Sequence, residues 1–382
     1  MTMAADKQDK VLNVPTLRFP QFSGEWKKTK LSEVCHIATG NKNTQDKDDN
    51  GQYPFYVRSQ HIEHINSWTY DGEAILTAGD GVGVGKVFHY SKGKIGVHQR
   101  VYILNDFKCD GKFLFYYFSG HFYDRVKRMS AKNSVDSVRM EMIANMNFIY
   151  PRRGEQTKIG HLFSLLDERI ETQIRIIKEL KLYRNTLVFR LLTPKDKWLR
   201  LSIGDVAHVI GGGTPDTNIE DYWNGSIQWF TPSEIGKEKY VTESERTLTQ
   251  KGLDNSSAKL LPPGTILLST RATIGECSIA KQECCTNQGF QSLIAKKVTP
   301  EFLYYLIQTK KKDLLSKASG STFAEISANE VRKIHICIPG TQEEQKAIVQ
   351  PLSAYDEKIE TECKILHLYE LQKQFLLGQM FI

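Results

Sequence analysis

Residues 162–185 read LFSLLDERIETQIRIIKELKLYRN, and residues 351–374 read PLSAYDEKIETECKILHLYELQKQ. With Phe163 as heptad position a, the a/d series runs Phe163, Leu166, Ile170, Gln173, Ile177, Leu180, Arg184, Leu187 and Leu191. Adding 189 gives Leu352, Tyr355, Ile359, Glu362, Leu366, Tyr369, Lys373, Leu376 and Met380. The 3-4 spacing predicts a helical seam in each stretch. Polar residues interrupt both seams at the same steps, Gln173 with Glu362 and Arg184 with Lys373. A buried polar seam residue lowers stability and restricts register. Antiparallel pairing suits the charges, since it brings Arg184 toward Glu362 and Lys373 toward Gln173. Parallel pairing would set Arg184 beside Lys373. The shared interruptions disfavour the alternative of two unrelated amphipathic helices, each packed on its own domain.

The helices close two halves of one repeat. WKKTKLSEVCHIATGN begins at Trp26 and WLRLSIGDVAHVIGGG at Trp198, an offset of 172. FYVRSQHI, ending at Ile62, faces WFTPSEI, ending at Ile235, an offset of 173. FLFYYF from Phe113 and FLYYLI from Phe302 are 189 apart, as are EQTKIG from Glu155 and EQKAIV from Glu344. The change locates an insertion in the polar stretch 236–264, which reads as a surface loop. Short apolar runs at Ala74–Thr77, Val101–Leu104, Ile266–Ser269 and Ser292–Ala295 read as strands. Residues 113–128 and 301–317 carry apolar residues at helical spacing, an aromatic stripe that reads as core. The expected fold is α+β: two mixed α/β modules separated by an antiparallel two-helix coiled coil with a pseudo-two-fold. The expected boundaries are a disordered leader at 1–16, modules at 17–151 and 195–339, and helices at 152–194 and 340–382. Each seam of about 29 residues is about 43 Å long at ~1.5 Å per residue. That exceeds one turn of B-DNA, about 34–36 Å.

Composition narrows the class. The chain has 382 residues, 40% hydrophobic and 25% charged, ordinary for a globular protein of two or three domains. No run approaches ~18 apolar residues, so no membrane partner is expected. The first residues lack an apolar signal segment. Seven cysteines without a C-x-x-C pair imply neither a zinc site nor a disulfide framework, and the expected location is a reducing cytoplasm. Cys284 and Cys285 read as strand residues rather than a soft-metal site. A net charge of +7 permits a polyanionic partner without requiring one.

No catalytic signature emerges. In GDGVGVGK at 79–86, Asp80 stands where a phosphate loop needs its first glycine, and Val87 follows Lys86. Gly81, Gly83 and Gly85 alternate, which is not the dinucleotide pattern. The run reads as flexible backbone beside a ligand or as a β-turn. There is no Asn-Pro-Pro or Asp-Pro-Pro motif for holding a flipped base, no H-E-x-x-H and no nucleophile elbow. No catalytic residue and no metal site are assigned.

Four stretches carry a family resemblance: GGGTPDTNIEDYWNGSIQWFTPSEI at 211–235, GTILLSTRATIGECSIA at 264–280, TNQGFQSL at 286–293 and IPGTQEEQKAIVQPLSAYDEKIE at 338–360. In this order, with partial recurrence in the first half, they resemble the specificity subunit of type I restriction–modification systems. The resemblance implies two target-recognition domains on a coiled-coil spacer, reading a bipartite site in double-stranded DNA. It implies two adenine-N6 methyltransferase subunits as partners, which use S-adenosylmethionine, and restriction subunits in a larger complex, which use ATP and Mg2+. It also implies that this chain binds none of these cofactors and has no catalytic centre. The first half departs from the pattern, with TGNKNTQ at 39–45 and LTAGDGVGVGKVF at 76–88. A scaffold that docks partners through its helices without reading sequence is the alternative.

Base edges and phosphates select Arg, Lys, Gln, Asn, Ser and Thr on loops. In the first module the candidates are Arg58, Ser59, Gln60, Lys86, Gln99, Arg100, Lys132, Asn133 and Arg139. In the second they are Thr231, Ser233, Thr270, Arg271, Asn287, Gln288, Ser319, Ser321 and Thr322.

Overall fold

The computed structural model describes residues 13–129, 137–318 and 325–382. The chain divides into two compact units, Met1–Ile174 with Lys364–Ile382 and Arg175–Cys363. It is an α+β protein. The first module contains β1 (Lys27–Lys30), α1 (Leu31–Val34), β2 (His36–Thr39), β3 (Tyr53–Tyr56), β4 (Ile62–Ile65), β5 (Tyr70–Ala78), β6 (Phe88–Val97), β7 (Val101–Asn105), α2 (Gly111–Met129), α3 (Met140–Ala144) and β8 (Asn147–Tyr150). Six strands form one sheet in the order β2-β7-β5-β6-β3-β4, and β1 pairs separately with β8. The buried face of α2, including Phe113, Phe118 and Phe122, fills the core beside this sheet.

After α4 (Arg153–Leu191), the second module runs through β9 (Leu199–Ser202), α5 (Ile203–Val206), β10 (Ala207–Gly211), β11 (Trp223–Phe230), β12 (Tyr240–Val241), β13 (Arg246–Leu248), α6 (Gln250–Asp254), β14 (Ile266–Leu268), β15 (Cys277–Ala280), β16 (Cys284–Thr286), β17 (Gln291–Ala295), α7 (Pro300–Thr309), α8 (Lys311–Lys317), α9 (Ala328–Arg332) and β18 (His335–Ile338); α10 (Gln342–Met380) follows. The predicted helix over 301–317 is broken at Lys310, whose backbone (φ −95°, ψ 8°) leaves the helical region. The insertion is not simply a surface loop: it folds into β12, β13 and α6, and β13 pairs with β11. Strand alternation sends Cys284 into one apolar cluster and Cys285 into another. Burial pushes these thiols up to about 12 and about 11.

The two long helices pair antiparallel within each unit. In the first unit, Asp167 pairs with Lys373, and Arg169 donates to the Tyr369 hydroxyl at 3.1 Å. In the second, Arg184 Nε donates to Asp356 at 2.9 Å, and Val188 and Leu192 share a core with Ile348 and Leu352. Every residue of both a/d series is buried or half-buried. The charge partners differ from the expected ones. Arg184 meets Asp356 rather than Glu362, and Lys373 meets Asp167 rather than Gln173. The displacement is six residues in both copies, from 362 to 356 and from 173 to 167. A heptad frame identifies the facing stripe but leaves the stagger between helices open, and Asp167 and Asp356 each lie one position beyond a seam residue.

These contacts form one repeated docking cluster. Tyr116 donates to Asp167 at 2.7 Å, and Lys373 sits over the Tyr116 ring. At an offset of 189, Tyr305 donates to Asp356 at 2.5 Å, and Arg184 sits over the Tyr305 ring. Burial first, then the carboxylate partner, pushes both tyrosine hydroxyls well above their ordinary value. In the repeated Glu-Gln pair at each helix start, the glutamine ties the long helix to its module. Gln156 Oε1 accepts from the backbone of Asp110 at 2.8 Å and Gln345 Oε1 from that of Thr299 at 3.2 Å, just ahead of α2 and α7.

Candidate nucleic-acid interface

In the first module three loops converge. Arg58 follows β3, Asp80 follows β5, and Arg100 lies in the turn between β6 and β7. Arg58 Nη1 lies 2.9 Å from Asp80 Oδ1, and Arg100 Nη1 pairs with Asp80 Oδ2. Burial alone would raise the Asp80 carboxyl, but hydrogen bonds from Arg100 and Arg58 override it and hold it below its ordinary 3.8. The surrounding cleft, of about 410 Å³, is also lined by Lys47, Glu63 and His98. Burial, reinforced by the Arg58 charge, holds His98 below its ordinary 6.5.

The backbone fixes these positions. Gly79 N donates to Arg100 O at 2.8 Å, and Arg100 N donates to His98 Nδ1 at 3.0 Å. A Cβ at Gly83 would sit 2.4 Å from the Arg58 carbonyl oxygen, so the glycine loop can lie against the Arg58 segment only without a side chain there. Val82, at its tip, is 99% exposed. Lys86 is exposed and lies over the Tyr123 ring at 5.3 Å. Ser59 donates to His61 O, while Gln60, Gln99 and Arg139 are exposed. Lys132 and Asn133 lie outside the described residues.

The second module repeats this frame with other side chains. Thr270 N donates to Gly289 O at 2.8 Å, matching Gly79 and Arg100. Ile326 N donates to Thr270 O as Val138 N donates to Gly79 O. By this correspondence Arg271 occupies the place of Asp80, and Gly289 that of Arg100. Arg271 Nη2 lies 2.7 Å from Glu325 Oε2, so one cation faces one anion. Gln288 is exposed and accepts from Thr214; Asn287 Oδ1 accepts from Gly289 N at 2.8 Å. Thr231 and Ser233 hydroxyls are 3.0 Å apart, and Thr231 also donates to Glu234 at 2.6 Å. Thr270 is a correction: it is fully buried, its hydroxyl donates to Gly289 O, and it presents nothing to a ligand. Ser319, Ser321 and Thr322 lie outside the described residues.

The structure therefore brings Arg58 and Arg100 together, a meeting that their separation in sequence did not announce. It also adds Asp80 and Glu325, which residue-type reasoning missed because it looked for donors. The available signal was Asp80 itself, an acidic residue inside a glycine run.

The family model described as the type I restriction modification DNA specificity domain matches residues 23–182 and 195–368, and the chain belongs to that family. It is 41% identical over 176 residues to the type I restriction enzyme MjaIX specificity subunit of Methanocaldococcus jannaschii, an alignment covering 45% of this chain and 40% of that protein. It is 26% identical over 212 residues to an Escherichia coli type I restriction enzyme specificity subunit, covering 53% of this chain and 52% of that one. The matched stretches thus span about half of these relatives or less. In fold, the chain is similar to the crystal structure of a type I restriction–modification system S subunit from M. genitalium. The TM-score is 0.66 at 15% identity, over 97% of this chain and 99% of that one. No helix among the described residues is long and apolar enough to cross a membrane.

Proposed function

We propose that this chain reads a bipartite site in double-stranded DNA, one half per module, and leaves the chemistry to partner subunits. The observation that carries the reading is the pair of exposed edges built on one backbone frame. One presents Arg58, Asp80 and Arg100; the other presents Arg271 and Glu325. Equal frames with unequal polar groups suit two different base sequences. The paired helices act as a coiled-coil spacer whose length sets the gap between half-sites. Two methyltransferase subunits supply adenine-N6 methylation with S-adenosylmethionine, and restriction subunits supply cleavage with ATP and Mg2+. The complex works in the cytoplasm, and this chain is not itself catalytic.

Genome-wide adenine-methylation mapping with and without the gene tests the reading. One split motif is expected to vanish; an unchanged pattern favours a scaffold that reads no sequence. Replacing residues 198–338 with another such module is expected to change one half of the motif only. Lengthening both helices by four residues adds about 6 Å to each and is expected to widen the gap by about two base pairs. The purified chain given S-adenosylmethionine and DNA is expected to be inert, and turnover would overturn its non-catalytic role.

A further inference from the structure

We infer that Asp80 is a positioning residue that holds Arg58 and Arg100 side by side to read guanine in the half-site of the first module. This rests on the DNA-reading function proposed above and specifies which base the first module takes. Arg58 and Arg100 come from different loops, with 46% and 61% of their side chains exposed, yet both point at the two oxygens of one carboxylate. Asp80 is only 18% exposed, so it lies behind the guanidiniums rather than in front of them. A guanidinium carries five N–H donors, and Asp80 engages Nη1 of each arginine, so further donors remain for a planar acceptor pair.

Guanine fits this arrangement better than phosphate does. Its O6 and N7 are neutral acceptors spaced for a bidentate arginine. A phosphate in front of the guanidiniums would find their charge already partly neutralised from behind, since two arginines with one carboxylate leave a net charge of only one. Residues that only collect phosphate gain from unneutralised, adaptable cations. The second module has glycine at the place of Arg100 and one arginine matched by Glu325, so among the described residues the two-arginine arrangement is that of the first module.

The test uses the full chain assembled with its methyltransferase partner and a duplex carrying the mapped motif. Replacing the guanines of one half-site by 7-deazaguanine removes N7 alone. Binding is expected to fall by at least about 5-fold, short of the ~150-fold upper limit for losing a whole bidentate contact, because O6 still accepts. Arg58→Lys and Arg100→Lys are expected to lose that discrimination, because lysine keeps the charge without the fork. Asp80→Asn is expected to relax base preference at the same positions. In all three variants, preference at the other half-site is expected to stay intact, which reports a folded, assembled protein. The inference is overturned if neither half-site contains guanine, if 7-deazaguanine binds as well as guanine, if lysine substitutes fully, or if Asp80→Asn weakens all sequences equally. The underlying DNA-reading function fails separately, if the wild-type chain yields no split motif at all.

Discussion

In the first unit Asp167 accepts from Tyr116 and pairs with Lys373; in the second Asp356 accepts from Tyr305 and pairs with Arg184. The plan is common but the setting differs. Asp356 also has Lys239 of the insertion 3.9 Å away, and Arg184 and Lys239 keep only 12% and 10% of their side chains exposed. Lys373 and Asp167 keep 27% and 31%. Burial lowers the Lys239 amine despite the nearby Asp356 and Glu301 carboxylates. The contrast runs opposite to that at the exposed edges. There the first module has the denser charge cluster, and here the second does. The two clusters therefore vary in opposite directions on one backbone frame.

The sharpest way to break the comparison is to remove each aspartate. Asp356→Ala removes the carboxylate facing two largely buried cations, Arg184 and Lys239, and is expected to cost about 3 kcal/mol. Asp167→Ala is expected to cost about 1–2 kcal/mol, because its partner keeps more solvent. Thermal melting of the full chain reads both, and equal losses would show that burial does not separate the clusters.

Next come the glycines that both modules need. A Cβ at Gly40 would lie 2.1 Å from Val97 O, and one at Gly212 would lie 2.1 Å from Asn287 O. Alanine at either is expected to cost about 1–3 kcal/mol by overpacking. Gly120 in α2 has nothing within 4 Å of its Cβ position, and Gly120→Ala is expected to stabilise by about 0.5–1 kcal/mol. Urea midpoints of the three variants check the contrast; a stable Gly212→Ala protein would show that this loop can retreat.

Smaller still is the loss of one hydroxyl. Tyr305→Phe and Tyr116→Phe are each expected to cost about 1–2 kcal/mol near neutral pH, through a lost hydrogen bond to a carboxylate. The smallest effect is its pH dependence. Each tyrosine holds its proton in the folded chain beyond the unfolded value of about 10. The stability it contributes is complete below that pH and is lost as pH rises through the folded value. The gap between wild type and Tyr305→Phe is therefore expected to shrink above about pH 10 in urea titrations, and a gap that widens would contradict the assignment.

The long helices were legible because a 3-4 repeat of apolar residues recurs over both copies with its polar breaks intact. The strands around Ile75, Leu104, Ile266 and Leu293 were legible as short apolar runs between turn residues. The helix stagger was hidden, since Asp167 and Asp356 stand outside the a/d series. Their recurrence in DERIET and DEKIET was the trace left in the sequence. The edge was harder to read. Thr270 looked like a ligand-facing hydroxyl, yet the loop turns it inward. The correspondence of Asp80 with Arg271 is set by backbone hydrogen bonds that a glycine-rich loop does not announce.

Met380 and Phe381 complete the first unit's core, with the Phe381 ring stacked on Phe163 at 5.6 Å, and Leu17 N donates to Gln379 O. Those residues leave the ribosome only after the whole second module has been made. The first unit's core is therefore completed by residues made after the second module, so the order of synthesis differs from the order of packing along the chain. A message cut short before Met380 would leave the first unit's core without Met380 and Phe381.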